Sequence, residues 1–511
     1  MPQLSATLAF VAIVNNAEAQ QAIEAQRDFA IDWKKVGLAS VLLIVPCFWH
    51  EYLVCVDLGS HTYAAWMAKL ASAGKAPGIY VVFQKTNILF DWLLSAMCAY
   101  FGYDAGEKIA VAITVLIFYW GAFAFLISFS GKPRWDLAAL LAMFAYGWTF
   151  QTGLFNYYLS IGLALAALAA FWTRETRGRV ICLVLLPLIL LAHPLGICVF
   201  VGFAIFEAVS RRFGNRGIVG ALAISIVIMI GTRIYLTRHY YVKYSERPFW
   251  ITSGPDQLIL YSYIFVAIAL ITSILLVAIL VEAYFRRPRP IGEQRRSLIL
   301  AGSLYLLIKL VIILLPDNVL WSATTAEASL LVNRATLVAA ILAVAVIACL
   351  PARRWKSIAW GLVSLVFFLS LYFTTGNLSR LQCSAYDTVR AFPPGTRFVG
   401  SGNWQPLLGV LNAHLAERAC VARCFVLSNY EIASKQFRVR SQPDSPLVES
   451  SIAENDRMQN GTYTVRERDL PVFALHPCPT AGHVCVGKLA AGDRNGNPSV
   501  ELGTAVAPAH P

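Results

Sequence analysis

Charged side chains are scarce in this 511-residue chain, at 14% of all residues, where an ordinary soluble domain has about 25%. Hydrophobic residues make up 58% of the chain and the mean hydropathy is +0.60. A soluble protein of this composition could not cover its surface with polar groups. The scarcity of charge therefore excludes an ordinary soluble enzyme and predicts a chain that folds in lipid.

Three other features are missing. The net charge of +13 comes with no nucleic-acid-binding motif, and its basic residues lie in short loops between apolar runs. We therefore predict no nucleic-acid partner. Residues 1–14 lack the basic start of a cleavable signal peptide, and no internal repeat is visible. We interpret residues 1–35 as a cytosolic extension, because they end in Lys34 and Lys35 directly before an apolar run.

Long apolar runs are abundant, and a membrane-spanning helix needs about 20 such residues, or fewer where neighbouring helices shelter it. We predict a mainly α fold, a polytopic transmembrane bundle of about eleven spans in a domain covering residues 36–373. The predicted spans are 36–56, 108–129, 137–150, 154–172, 180–192, 195–209, 218–236, 258–285, 297–316, 329–350 and 355–373.

Basic loops predict the orientation, because cytosolic loops are rich in Lys and Arg. Two spans, or one long hairpin, separate each such loop from the next, so all five can be cytosolic. If residues 87–101, which carry Asp91, formed a span, the basic loop with Lys132 and Arg134 would lie outside the cytosol. We therefore expect an interfacial helix there, in the first outer loop. The basic groups are Lys132 and Arg134; Arg174, Arg177 and Arg179; Arg211, Arg212 and Arg216; the run Arg286–Arg296; and Arg353, Arg354 and Lys356.

After residue 373 the chain becomes rich in Pro, Gly, Ser and charge. We predict a small α+β soluble domain over residues 374–511, on the extracytoplasmic side of the inner membrane. Alternating runs at 397–400 and 437–440 predict strands, and residues 407–419 predict a helix.

Five of the eleven cysteines lie in this tail. Outside the cytosol such cysteines tend to form disulfides, and we expect the pairs Cys420–Cys424 and Cys478–Cys485. A zinc site that includes His476 and His483 is the alternative.

Polar residues in apolar surroundings are candidate functional residues, because burying a charge in lipid costs about 2.5–3.5 kcal/mol on insertion scales. Asp57 emerges at the outer end of the first span, before His61 and an amphipathic stretch at 62–74. Its carboxylate would act as a general base or bind a metal; an ordinary helix-capping Asp is the alternative.

Arg334 lies near the outer end of the tenth span, and Lys309 lies about two turns below the outer end of the ninth. A guanidinium matches the geometry of a phosphate, so Arg334 would bind a lipid phosphate at the membrane surface. The alternatives are snorkelling for Arg334 and a structural ion pair for Lys309. His193, at a Pro-Gly break between two spans, would contact either a ligand or the local backbone.

Two more segments combine aromatic and polar residues. The outer loop 237–257 carries Lys243 and Arg247 among several tyrosines, which suits sugar stacking and phosphate contact as well as an interfacial aromatic belt. The stretch 151–157 contains Asn156 in apolar surroundings, and we predict that Asn156 and His61 bind substrate.

Taken together, these pieces resemble the GT-C superfamily of integral membrane glycosyltransferases. The resemblance lies in the acid at the start of a long first outer loop, residues 60–78 and 87–102 within that loop, and the pieces 153–157 and 192–196. It implies transfer of a sugar from a polyprenyl-phosphate donor on the extracytoplasmic side. By this resemblance Asp57 would be the catalytic base or the carboxylate that orients the acceptor, and Arg334 and Lys309 would hold the donor phosphate.

One departure concerns metals. Many family members carry a second acid in the second outer loop, whereas residues 151–153 contain none and Asn156 is the nearest polar residue. We therefore predict no metal and no cofactor. The expected partners are the lipid-linked donor, membrane lipid, and a glycan, lipid or protein acceptor. The alternatives are a transporter or flippase, for which repeats would be typical, and a non-catalytic protein of polymer assembly or export.

Overall fold

The computed structural model describes residues 32–248, 251–285, 291–320, 327–400, 414–478, 482–498 and 500–502. Most of the predicted N-terminal extension, residues 286–290 of a basic loop and residues 407–413 of a predicted helix lie outside these ranges.

Helices dominate the described residues. The α-helices are α1 (Trp33–Ile44), α2 (Leu58–Ser72), α3 (Leu89–Ser130), α4 (Ala138–Ala145), α5 (Trp148–Gln151), α6 (Phe155–Thr173), α7 (Thr176–Ala192), α8 (Pro194–His239), α9 (Tyr263–Phe285), α10 (Gly292–Leu314), α11 (Leu331–Ala348), α12 (Arg354–Arg390), α13 (Leu415–Cys420), α14 (Tyr430–Ala433) and α15 (Ile452–Gln459). The strands are β1 (Ile79–Val81), β2 (Tyr241–Lys243), β3 (Asn318–Leu320), β4 (Glu327–Ala328), β5 (Arg397–Gly400), β6 (Phe425–Val426), β7 (Val439–Ser441), β8 (Phe473–Pro477), β9 (Val484–Lys488) and β10 (Val500–Glu501).

Among the described helices, seven are long and apolar enough to cross a membrane: α3, α6, α8, α9, α10, α11 and α12. Two of them are broken at glycines with positive φ, Gly102 at 78° and Gly214 at 58°, a conformation that glycine adopts without steric cost. The break at Gly102 separates residues 89–101 from the rest of α3. These separated residues are the ones for which an interfacial helix was predicted. The mainly α fold class is confirmed.

The first predicted span is shorter than expected. Helix α1 ends at Ile44, and a single turn of 3-10 helix continues to Cys47. Pro46 lies just beyond this end, and it has no N–H to donate to a continuing α-helix. The prediction of a helix up to residue 56 was wrong, and residues 48–57 form an irregular segment that leads to Asp57.

Segments predicted on one side of the membrane contact one another. On the predicted outer side, β2 pairs with β3 antiparallel, which joins the loops before α9 and before α11. On the predicted inner side, Arg134 Nη1 donates to the Leu350 carbonyl at 2.8 Å, at the end of α11. These contacts divide the loops into two faces in the predicted grouping. Which face is cytosolic stays a prediction.

The C-terminal residues form a five-stranded sheet in the order β10-β9-β8-β5-β6, with short helices against it. Helix α2 packs into the same core, where Tyr63 and Met67 of α2 lie with Phe398 and Val426 of the sheet. All residues from Leu58 to Ala68 are buried. The amphipathic stretch predicted at 62–74 is therefore helical up to Ser72, and its residues 62–68 are enclosed because the tail covers the second face.

Two further features connect the soluble domain to the bundle. Strand β1 of the first outer loop pairs with β7 of the tail, with Ile79 opposite Ser441. Helix α12 continues past residue 373 to Arg390, so the predicted domain boundary falls inside a continuous helix.

Both expected disulfides are present, with S–S distances of 2.13 Å for Cys420–Cys424 and 2.07 Å for Cys478–Cys485. The strand predicted at 397–400 is β5, and the one predicted at 437–440 lies slightly later, as β7. The described part of the helix predicted at 407–419 is α13.

Candidate active site

Asp57 is the residue that precedes α2, in the position of a helix cap. Within the described part of the chain, its carboxylate makes no capping hydrogen bond to the helix, and its side chain is 32% exposed. Its backbone N–H donates to the Thr152 carbonyl at 3.2 Å. The ordinary capping role is therefore not what the side chain performs, and the carboxylate is accessible to a ligand.

The turn between α5 and α6 holds Asp57 in place from the opposite side. Gly153 has φ of 79°, and a Cβ added there would lie 2.8 Å from the Asp57 backbone nitrogen. Only glycine allows so close an approach without displacing one of the two segments.

His61 and Asn156, both predicted to bind substrate, lie in one buried network around Asp91. The Asp91 carboxylate contacts His61 Nδ1 at 2.9 Å and accepts from Asn156 Nδ2 at 2.8 Å. Asn156 Oδ1 accepts from the Phe90 N–H at 2.8 Å. The network joins α2, α3 and α6, so in this structure both residues hold helices together behind Asp57.

Electrostatics in this network favour a charged histidine. His61 is 5% exposed, and burial alone would lower its pKa. The nearby Glu431 and Asp91 carboxylates outweigh this effect and raise the pKa of His61 to about 10. The resulting imidazolium compensates the buried carboxylates around it.

Three functional candidates come from the soluble domain and were not predicted. His414 Nε2 lies 3.8 Å from Asp57 Oδ1, and His414 Nδ1 lies 3.1 Å from Glu417 Oε1. Glu431 of α14 is 4% exposed and interacts electrostatically with both His414 and Asp57. The signal for them was weak, because polar residues are ordinary in a soluble tail. Asp91 of α3, which belongs to the same network, is different, because an acid in an apolar run is conspicuous in the sequence.

Arg334 lies in the first turn of α11, beside His193 at the break between α7 and α8. Arg334 Nη1 lies 3.0 Å from His193 Nε2, and the guanidinium carbon is 5.6 Å from the centre of the Tyr157 ring. Tyr157 donates its hydroxyl to the Arg334 carbonyl at 2.6 Å. Among the described residues, the buried Arg334 Nε has no hydrogen-bond partner. The guanidinium is thus held in place by its neighbours, and one of its buried donors is unsatisfied among the described residues.

An apolar groove of about 980 Å³ begins at this arginine. It runs between α8 and α10 along α11, lined by apolar side chains such as Phe203, Ile228 and Ile308, and Arg216 lies at its far end. Ile205 and Ile224 on its wall are 59% and 62% exposed. In a membrane, such a groove would be open to the lipid tails and suits an extended hydrocarbon chain.

The remaining predicted residues lie beside this groove or apart from it. Arg247 donates to Asn333 Oδ1 at 3.1 Å and lines a separate cavity of about 280 Å³. Lys309 of α10 donates to the Thr252 carbonyl in the loop before α9. Lys243 lies exposed on β2.

Asp57, His193 and Arg334 therefore lie in one region. The Asp57 carboxylate acts electrostatically on the Arg334 guanidinium, which contacts His193. The region combines an accessible carboxylate, a guanidinium and an apolar groove. The described residues contain no group of three or more His, Cys, Asp or Glu side chains able to hold a metal ion.

Two solved structures are similar to this chain along most of its length. ArnT from Cupriavidus metallidurans bound to undecaprenyl phosphate is 12% identical with a TM-score of 0.46, over 88% of this chain and 96% of that one. ArnT from the same organism in the apo state is 13% identical with a TM-score of 0.47, over 87% and 92% respectively. No protein-family model and no curated protein sequence matches the chain.

Proposed function

We propose that this protein is a membrane glycosyltransferase that moves a sugar from a polyprenyl-phosphate donor to an acceptor hydroxyl on the extracytoplasmic face. The observation that carries the proposal is the apolar groove, which ends at the Arg334 guanidinium within electrostatic range of the Asp57 carboxylate. A ligand with a long hydrocarbon tail and an anionic head fits this combination. The Asp57 carboxylate beside it is the base that the transfer reaction needs.

In this proposal the polyprenyl chain lies in the groove and the phosphate accepts hydrogen bonds from Arg334. Charge-assisted bonds between a guanidinium and a phosphate are among the strong ones in proteins. Tyr157 and His193 hold the guanidinium in place. The sugar then extends from the groove towards the N-terminus of α2, where Asp57 lies.

The chemical step is an inverting displacement. Asp57 takes the proton of the acceptor hydroxyl while that oxygen forms a bond to the anomeric carbon of the sugar. The bond between the anomeric carbon and the phosphate oxygen breaks, and its electron pair leaves with the polyprenyl phosphate. Arg334 stabilises the charge that develops on this leaving group. The products are the glycosylated acceptor, the lipid phosphate and protonated Asp57.

The test is Asp57→Asn in protein reconstituted in lipid nanodiscs with a panel of polyprenyl-phosphate sugars and a cell-envelope extract as acceptor. We expect release of polyprenyl phosphate to fall by about 10²–10⁴-fold, the usual loss when a general base is removed. Binding of the donor should persist, because Arg334 and the groove are unchanged.

Asp444→Asn is the matched control, since Asp444 is an exposed acid of the tail and should leave release at the wild-type level. Unchanged release in Asp57→Asn would reject Asp57 as the base. A wild-type protein that moves the labelled lipid across vesicle membranes without releasing its sugar would instead identify a flippase.

A further inference from the structure

The contact between His414 and Asp57 joins the soluble domain to the candidate active site. His414 is 7% exposed and lies directly before α13. Its two ring nitrogens face two carboxylates, with Nε2 at 3.8 Å from Asp57 Oδ1 and Nδ1 at 3.1 Å from Glu417 Oε1. The imidazole thus lies between the accessible Asp57 and a Glu417 that is 1% exposed.

The position of His414 is fixed by packing on three sides. Gly59 of α2 lies so close that a Cβ there would be 2.6 Å from the His414 carbonyl oxygen. Gln382 of α12 donates to the Leu415 carbonyl at 3.2 Å. Arg418, one turn further along α13, has its Nε 2.8 Å from Glu107 Oε2 of α3. Helix α13 therefore cannot move away from α2 without breaking buried polar contacts.

The charges around His414 keep it protonated. Burial alone would lower its pKa, but the surrounding carboxylates outweigh burial and raise the pKa of His414 to about 9. Burial also raises the pKa of Glu431, to about 7, against the opposing effect of the two nearby histidines. The described charged groups that interact with Asp57 or His414 are Glu417 of α13, Glu431 of α14, His61 of α2 and Arg334 of α11, and Asp91 of α3 interacts in turn with His61 and Glu431.

We infer that His414 is a positioning residue for Asp57, so that the soluble domain completes the active site of the transferase. The imidazolium attracts Oδ1 of Asp57 and leaves Oδ2 free for the acceptor hydroxyl. Without this cation, His61 and Arg334 would remain as positive charges near Asp57, but repulsion from Glu417 and Glu431 on the side of the soluble domain would shift the Asp57 carboxylate from its present orientation. The inference rests on the transferase function proposed above.

The first arm of the experiment follows transfer as a function of pH in nanodiscs. Since the imidazolium is lost as the pH rises through about 9, wild-type kcat/KM should decline above that value. His414→Gln should lower kcat at neutral pH by about tenfold or more, keep the KM for the donor, and abolish the decline near pH 9. His414→Lys should restore part of kcat and move the decline to higher pH, since an unperturbed lysine titrates near pH 10.4.

The second arm does not depend on sugar transfer. With ¹³C-labelled histidine, the NMR signal missing from His414→Gln identifies His414 among the eight histidines. Its pKa should fall in Asp57→Asn, because the neighbouring negative charge has been removed. Asp444→Asn, on the exposed tail surface, should leave it unchanged. Glu431→Gln separates the titration of Glu431 from that of His414: the variant should retain the decline but shift it to lower pH, because Glu431 is one of the carboxylates that raise the pKa of His414.

The outcomes separate the two proposals. Absence of transfer in the wild-type protein, with the His414 pKa still responding to Asp57→Asn, overturns the transferase and leaves the coupling intact. A His414 pKa that ignores Asp57→Asn, or a His414→Gln variant with wild-type kcat and pH profile, overturns the positioning role. His483→Ala, a change in the same domain away from α2, should affect neither arm.

Discussion

Arg334 differs from the other arginines near the predicted outer face in what surrounds its guanidinium. Arg233 stacks over Tyr244 at 4.1 Å and Arg247 donates to Asn333. The Arg334 guanidinium contacts His193, lies beside the Tyr157 ring and lines the groove. A side chain held this way loses little conformational entropy when it binds a phosphate, which favours tight binding.

We expect Arg334→Ala to weaken binding of a long-chain polyprenyl phosphate by roughly 10–100-fold, because a hydrogen bond to a charged group contributes about 1.5–3 kcal/mol. Arg334→Lys should recover only part of this affinity, because an ammonium does not match the phosphate with a planar fork. Native mass spectrometry in nanodiscs measures the effect.

Arg238→Ala is the control, because Arg238 is exposed in the last turn of the same groove-lining α8. Equal losses in Arg238→Ala and Arg334→Ala would mean that net charge, and not the groove mouth, attracts the lipid.

At this scale the sequence was informative where a charge interrupts an apolar run. Asp57, His193 and Arg334 were predicted in this way, and the structure brings them into one region. His414 and Glu431 could not be found by the same reasoning, because they lie in a soluble tail more than 350 residues after Asp57. For Lys309 the sequence left ligand binding and structural pairing open; in the structure its ammonium donates to the backbone carbonyl of Thr252 in a nearby loop, and a role in phosphate binding stays a prediction.

At the scale of elements, the short turn between α5 and α6 has a large effect on the site. Gly153 combines a positive φ with contact to the Asp57 backbone, whereas Gly131 at the end of α3 has a similar φ of 69° and nothing within 4 Å of an added Cβ. The two glycines therefore separate backbone strain from steric contact.

We expect Gly153→Ala to reduce transfer at least tenfold, because the new methyl group displaces the segment that carries Asp57. Gly131→Ala should cost about 1–2 kcal/mol of stability through its left-handed conformation alone and keep near wild-type transfer. Turnover and thermal unfolding of both variants in detergent check this. Equal turnover in the two variants would show that the Gly153 turn does not position Asp57.

Apolar periodicity found most helices but misjudged two ends. The first span stops early at Pro46 because backbone hydrogen bonding, and not hydrophobicity, ends it. Helix α12 runs on to Arg390 because its later residues pack against the soluble domain, with Thr388 Oγ1 donating to the Val484 carbonyl at 3.2 Å. A change in composition marks where lipid ends and says nothing about where a helix ends.

At the scale of the whole molecule, the loops divide into two faces, and the first loop and the tail share one of them through the pairing of β1 with β7. The basic loops predict that this shared face is extracytoplasmic. The contacts between loops do not show which face is extracytoplasmic, and the orientation rests on the charge of the loops alone. The orientation therefore needs its own test.

Introduced cysteines and a membrane-impermeant maleimide supply that test. In intact cells, Asp444→Cys on the tail should be labelled, whereas Arg177→Cys in the first turn of α7 should react only after the membrane is permeabilised. Both positions are exposed, so their intrinsic access to the reagent is matched. The reverse pattern would place Asp57 and the groove mouth in the cytosol and contradict the proposed donor.

The unbroken course of α12 from the bundle into the tail has a consequence for how such a protein can diverge. Each residue of an α-helix adds about 1.5 Å of height and turns the following chain by about 100°. A single insertion between residues 373 and 382 would swing the soluble domain around the helix axis and carry His414 away from Asp57. The outer part of α12 is thus a spacer of fixed length and phase, in which substitutions are tolerated far more readily than insertions.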